Sequence, residues 1–280
     1  MARTTRSRSR RRVAPWVAAL VVAATVLIPV AAAAVPAPVP CDGKLPTIGG
    51  DDGPNTLHGT SGDDVIWAGG GDDVIYGYGG NDTICAGSGA DVVYGGDGAD
   101  VIYGGVGSDL LWTGPGVDGV FGNAGNDVIH VGPGLNFSYG GDGNDRITMF
   151  AGDGEIYGGA GFDAVDGRFA AGEVKIDLAD PHGSGGSFYT FQGGAILFGI
   201  EKAIGSEFND VLLGDYGSNV LVGRGGADWM HGRGGDDTLY GSNGNDYLDG
   251  GSGTNHLYGG PGLSDRCTNG VYDGCEVVTI

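Results

Sequence analysis

Asp64, Asp73, Asp82, Asp91, Asp100, Asp109, Asp118 and Asp127 follow one another at a constant interval of nine residues, and Asp145 and Asp163 keep the phase. Asp210, Asp228, Asp237 and Asp246 resume it nearer the C terminus. Acid–base catalysis needs one or two carboxylates in unlike surroundings. A long series of equivalent ones is instead a supply of hard oxygen ligands. Calcium takes six to eight such ligands in an adaptable cage, whereas magnesium demands an octahedron and keeps its waters. Calcium is therefore the cation that these residues call for. Aspartate also serves ordinary turns, but turn chemistry alone needs no constant phase over 13 repeats.

Elements that repeat every nine residues must hold these carboxylates. Two residues after the aspartate position, which Asn55, Asn136 and Gly154 occupy in three repeats, comes an aliphatic residue, as in Leu57, Ile66, Ile75, Ile84, Val93, Ile102, Leu111, Val120, Ile129, Ile147, Ile156 and Val165, with Ser138 breaking the series. Two residues before it stands a glycine in every repeat from Gly53 to Gly161. The unit is G-G-x-G-x-D-x-U-x, with U a large aliphatic residue, and it is clearest in GGDGADVIY (95–103) and GGDGNDRIT (140–148). Its glycines permit the positive φ of a tight turn, and its last three residues alternate as a strand does, with U pointing inward. Two units make one coil of 18 residues. Stacked coils should rise about 4.8 Å each.

This consensus resembles the RTX, or haemolysin-type, calcium-binding repeat family, and the resemblance covers 171 of the 280 residues. It implies an all-β fold, a right-handed parallel β-roll or β-helix solenoid of 18-residue coils. It also implies calcium ions between the turns of neighbouring coils, held by the aspartates and by turn carbonyls. Residues 18 apart then stack in two columns. Asp64, Asp82, Asp100 and Asp118 form the first, which loses its acid at Asn136 and Gly154. Asp73, Asp91, Asp109, Asp127, Asp145 and Asp163 form the second without a break. Farther on, Asp210, Asp228 and Asp246 stack together while Asp237 lies between Asn219 and Asn255, and weaker sites are expected where asparagine substitutes.

The resulting organisation is a signal peptide over 1–34, a linker and N-terminal cap over 35–49, a first repeat block over 50–166 and an interruption over 167–204. A second block over 205–258 and a cap over 259–280 complete it. The leader combines six arginines with the apolar run VAPWVAALVVAATVLIPVAAAA, the pattern of a secretory signal. An uncleaved membrane anchor is the rival reading, because about 20 apolar residues also span a bilayer. Cleavage moves the formal charge from −21 to −27, which makes nucleic acid and anionic membranes poor partners and metal cations natural ones. Secretion, calcium as the cofactor and no membrane insertion after cleavage are the corresponding expectations. Extracellular calcium modules bind at about 10⁻⁴ to 10⁻³ M, and the low apolar content implies disorder before the ion is met.

Outside the consensus, Trp67, Tyr103, Phe121, Tyr139 and Tyr157 fall at the ninth position on one face, and Tyr76, Tyr94 and Trp112 on the other. They should point outward, either stacking on one another or forming an adhesive surface for a cell-surface or polysaccharide partner. Cys85 occupies one of those outward positions, and Cys41 is its candidate partner. Cys267 and Cys275 would clip the C-terminal cap. Four cysteines permit three pairings, and free thiols are the alternative. The interruption reads as strands or a loop that joins the two blocks. His58, His130, His182, His231 and His256 form no H-E-x-x-H, and neither a G-x-S-x-G elbow nor a P-loop occurs. The match to G-x-G-x-x-G at Gly114, Gly116 and Gly119 is compositional. A non-enzymatic calcium-binding protein is expected, with an adhesin or envelope component, or an accessory part of a toxin or hydrolase, as alternatives.

Overall fold

The computed structural model describes residues 41–150, 153–179, 186–190 and 193–277. The leader at 1–34 and the first part of the linker therefore lie outside the described residues. Those described are all-β, without a helix, and no helix among them is long and apolar enough to cross a membrane. Period-two alternation builds each strand. In Val101–Val106 and the residue before it, Asp100, Ile102 and Gly104 are buried while Val101 and Tyr103 are only partly covered. The sixth, eighth and first positions of the repeat thus face inward together. That orientation puts each aspartate on the same side of the chain as the core aliphatic.

Parallel pairing then stacks identical positions. Ile48, Ile66, Ile84, Ile102 and Val120 are successive partners in one sheet. Ile75, Val93, Leu111, Ile129, Ile147 and Val165 are successive partners in the other. Among the described residues the sheets hold 15 and 12 strands, and the core between them is a double row of side chains such as Ile66, Ile102, Leu111 and Leu239, all 0% exposed. Each fully buried aliphatic stabilises the fold by roughly 1.5–3 kcal/mol. Ser138, where the aliphatic series breaks, is buried in the same row with its hydroxyl unpaired.

The interruption enters one sheet without disturbing the other. Asp153–Ala160 pairs in parallel with Gly193–Phe198, which runs antiparallel to Gly186–Thr190, itself antiparallel to Lys175–Asp177. Lys175–Asp177 then resumes parallel pairing with Val211–Leu213. Across the core, Ala164–Asp166, Lys202–Ile204 and Val220–Gly225 remain direct neighbours. One sheet therefore gains two strands, about 10 Å of extra width at the usual inter-strand spacing. Arg233 fastens this meander to the second block through a two-pronged contact with Asp177, at 2.7 and 3.0 Å, and a hydrogen bond to the Gly214 carbonyl.

Candidate metal centres

Each inward aspartate is tied to the coil before it. Asp82 donates its backbone N–H to Asp100 Oδ1 at 2.9 Å, and Asp100 donates in turn to Asp118 Oδ1 at 3.0 Å. The second column repeats the bond from Asp73 to Asp91, Asp91 to Asp109, Asp109 to Asp127, Asp127 to Asp145 and Asp145 to Asp163. One carboxylate oxygen thus completes a backbone ladder along the turns.

The other oxygen is left over. In Asp73, Asp82, Asp91, Asp100, Asp109, Asp118, Asp127, Asp145, Asp163, Asp228, Asp237 and Asp246, Oδ2 is buried and has no hydrogen-bond partner. A Cβ added to Gly95 would sit 2.8 Å from Asp100 Oδ2 and 2.5 Å from the Thr113 carbonyl of the next coil. A Cβ on Gly104 would stand likewise between Asp109 Oδ2 and the Gly122 carbonyl. Glycine at the first position therefore keeps open a cradle whose walls are acceptors without a donor, which is the environment a hard cation completes. No group of three or more His, Cys, Asp or Glu side chains able to hold a metal occurs among the described residues. An ion here would draw carboxylates from stacked turns and fill its shell with backbone carbonyls and water.

Burial without a cation disfavours the charged carboxylate. It pushes Asp228 up to about 8, Asp109 to about 7 and Asp91, Asp100, Asp145, Asp163 and Asp237 to about 6. The N–H from the preceding coil opposes the shift, and neighbouring aspartates reinforce it.

Two of the aspartates in the series differ. Asp64 Oδ2 accepts the Thr60 N–H at 2.6 Å and its hydroxyl at 2.9 Å. Asp210 Oδ2 likewise accepts the Ser206 N–H at 2.6 Å and hydroxyl at 3.1 Å. Where asparagine substitutes at 136, its amide nitrogen donates to the Gly132 carbonyl at 2.7 Å, so an N–H group stands where the aspartates leave Oδ2 unpartnered. Two acids absent from the repeat series join the columns: Glu201 Oε2 accepts the Asp163 N–H at 2.8 Å, and Asp265 Oδ1 accepts the Asp246 N–H at 2.9 Å. Glu201 lies nine residues before Asp210, so its phase gives it away. Asp265 lies 19 residues after Asp246, one beyond the coil length.

A second polar ladder runs through the fifth position, which the consensus leaves blank. Asp63 Oδ1 accepts the Asn81 N–H at 2.7 Å, and Asn81 Oδ1 accepts the Ala99 N–H at 2.9 Å. Ser108, Asn126 and Asn144 continue the same arrangement. On the outer faces the ninth-position rings stack, with Tyr76 and Tyr94 5.1 Å apart at 5° and Tyr103 and Phe121 5.0 Å apart at 12°. Cys85, in register between Trp67 and Tyr103, is bonded to Cys41, and Cys267 to Cys275.

A family model described as the RTX calcium-binding nonapeptide repeat, in four copies, matches residues 49–84, 86–120, 112–147, 204–239 and 231–262. These segments together cover more than half of the chain. A comparison with curated proteins finds no match.

Proposed function

We propose, on the premise that this chain belongs to the RTX calcium-binding nonapeptide repeat family, that it is an extracellular calcium-binding protein whose solenoid is completed by ions between its turns. The family is a structural one and its repeats bind Ca²⁺. The observation that carries the reading is the row of buried, unpartnered Oδ2 atoms in both columns. Each unsatisfied buried acceptor costs about 1–3 kcal/mol, more when charged. Twelve of them are enough to offset the roughly 5–15 kcal/mol of a typical domain. Near neutral pH the coils are not held together without ions; with calcium at millimolar levels outside the cell, they are. The leader supports export, and Asp73, Asp82, Asp91, Asp100, Asp109, Asp118, Asp127, Asp145, Asp163, Asp228, Asp237 and Asp246 are the ligands in this reading. Isothermal titration with calcium tests it, with magnesium as the control. Saturable binding of several calcium ions supports the assignment, and equal or absent heats for the two metals would remove it.

A second reading, attachment to a cell surface or polysaccharide, is favoured by a different surface from the aromatic faces. Rings stacked at about 5 Å cover one another, leaving edges rather than faces for a sugar. Uncovered apolar side chains gather instead where the first column loses its acid. A groove of about 890 Å³ there is lined by Val117, Leu135 and Phe137 on one side and Tyr189 and Ile196 of the meander on the other. Replacing Leu135 and Ile196 by aspartate tests this reading: retention on cells should fall, and unchanged retention would exclude the groove.

A further inference from the structure

The aspartates of the repeat are not equivalent, and what separates them is the backbone at the second position of the turn. Tyr78, Asn123, Arg224, Arg233 and Ser242 all stand at that position with φ between 71° and 80°, a conformation that non-glycine residues adopt only against backbone strain. Four residues on in each case is an aspartate whose Oδ2 is buried and unpartnered: Asp82, Asp127, Asp228, Asp237 and Asp246. Where the position is glycine the association holds, as for Gly96 (φ 116°) and Asp100. In the left-handed state the second N–H is turned away from the carboxylate; Gly96 gives its own to the Thr113 carbonyl of the next coil at 3.1 Å.

Thr60 and Ser206 are not among the residues with positive φ. Their N–H groups point back into the turn and saturate Asp64 and Asp210, while their hydroxyls accept from the Gly62 and Phe208 N–H groups at 3.1 Å. Both turns belong to the first coil of a repeat block. The opposite case closes the second block. Gly260 has φ 95°, and Asp265, 2% exposed and beyond the last matched residue, carries an unpartnered Oδ2. A Cβ on Gly259 would fill the space 2.8 Å from that oxygen and 2.5 Å from the Gly274 carbonyl, the same cradle as in the repeats.

We propose that calcium follows the left-handed second residue and not the aspartate pattern, so that Asp265 helps hold an ion outside the repeats while Asp64 and Asp210 hold none. The inference rests on the calcium-binding reading above. In this arrangement the first coil of each block is closed by its own hydrogen bonds and gives the ion-dependent coils a template that needs no metal.

Counting ions by native mass spectrometry on the calcium-loaded chain tests it. Asp265→Asn should lose one ion relative to the parent, whereas Asp64→Asn and Asp210→Asn should lose none. Thr60→Gly, which frees the second residue to turn left-handed without removing a ligand, should gain one and does not depend on a weakened turn surviving. If the parent binds several ions but Asp64→Asn and Asp210→Asn each lose one while Asp265→Asn loses none, the inference is overturned and the calcium-binding reading stands. A parent that binds no calcium overturns both.

Discussion

Asp100 and Asp82 lie one above the other, with the Asp82 N–H bonded to Asp100 Oδ1 at 2.9 Å and Asp100 Oδ2 buried against nothing that can donate to it. One side chain thus does two separable things. Its first oxygen satisfies the backbone of the neighbouring coil, and its second, in the proposed calcium-binding reading, is the one offered to a cation. Replacement by asparagine separates the roles, because the amide keeps an oxygen acceptor and, as Asn136 shows, can direct its N–H₂ to a turn carbonyl. Asp100→Asn is therefore expected to be less stable than the parent in calcium at pH 7.5 but no less stable in chelator at about pH 4, where protonated carboxyls take the place of the ion. Urea unfolding in both conditions checks this, and a loss of equal size in both would mean that no ion is involved at Asp100.

The pH dependence has a definite sign. These carboxylates have folded-state values raised to about 6 at Asp91, Asp100, Asp145, Asp163 and Asp237, about 7 at Asp109 and about 8 at Asp228, against a usual 3.8. Between those values the folded chain binds more protons than the unfolded one, so stability falls as pH rises. In chelator the chain should be most compact at or below about pH 4 and lose compaction progressively as pH rises to about 8. Calcium should abolish that loss and itself bind more weakly as pH falls through the same range. Circular dichroism across pH, with and without calcium, distinguishes this from the reverse slope of ordinary salt-bridged carboxylates.

Close stacking of the turns leaves no room at the fourth position. Gly98 has φ 142°, and a Cβ built on it would overlap the Gly80 carbonyl. Gly98→Ala should prevent proper stacking of that coil and lower the thermal midpoint in calcium by several degrees. Gly172→Ala, where a Cβ meets nothing within 4 Å, should leave it unchanged.

The Cys41–Cys85 bond closes a segment with a sequence separation of 44. In the chain-entropy account such a loop stabilises by about 4 kcal/mol. The Cys41→Ser, Cys85→Ser double variant should therefore unfold at clearly lower denaturant concentration. No change in midpoint would mean that the first coils are held by the ladder alone.

Much of this architecture is legible in the sequence because a fixed phase repeats the same decision many times. Ile102 and its equivalents read as core, Asp100 and its equivalents as a column, and the outward place of Cys85 suggests a partner. What escapes is what the phase conceals. The fifth position looks free because Asp63, Asn81, Ser108 and Ala99 share no obvious property, yet three of them accept an N–H from the next coil. Asp265 is hidden by a one-residue slip, whereas Glu201, nine residues before Asp210, keeps the phase with glutamate in place of aspartate. The backbone state of the second residue is invisible, since serine is left-handed at Ser242 but not at Ser206.

The most direct test of the account is to follow the purified protein by circular dichroism and hydrodynamic radius while calcium is added from chelator at pH 7.5. Conversion from an expanded chain to a compact β structure with calcium, and not with magnesium, is the expected result. A chain that is already compact and β-rich in chelator, and unmoved by calcium, would show that the buried aspartate columns are stable without an ion and would contradict the account.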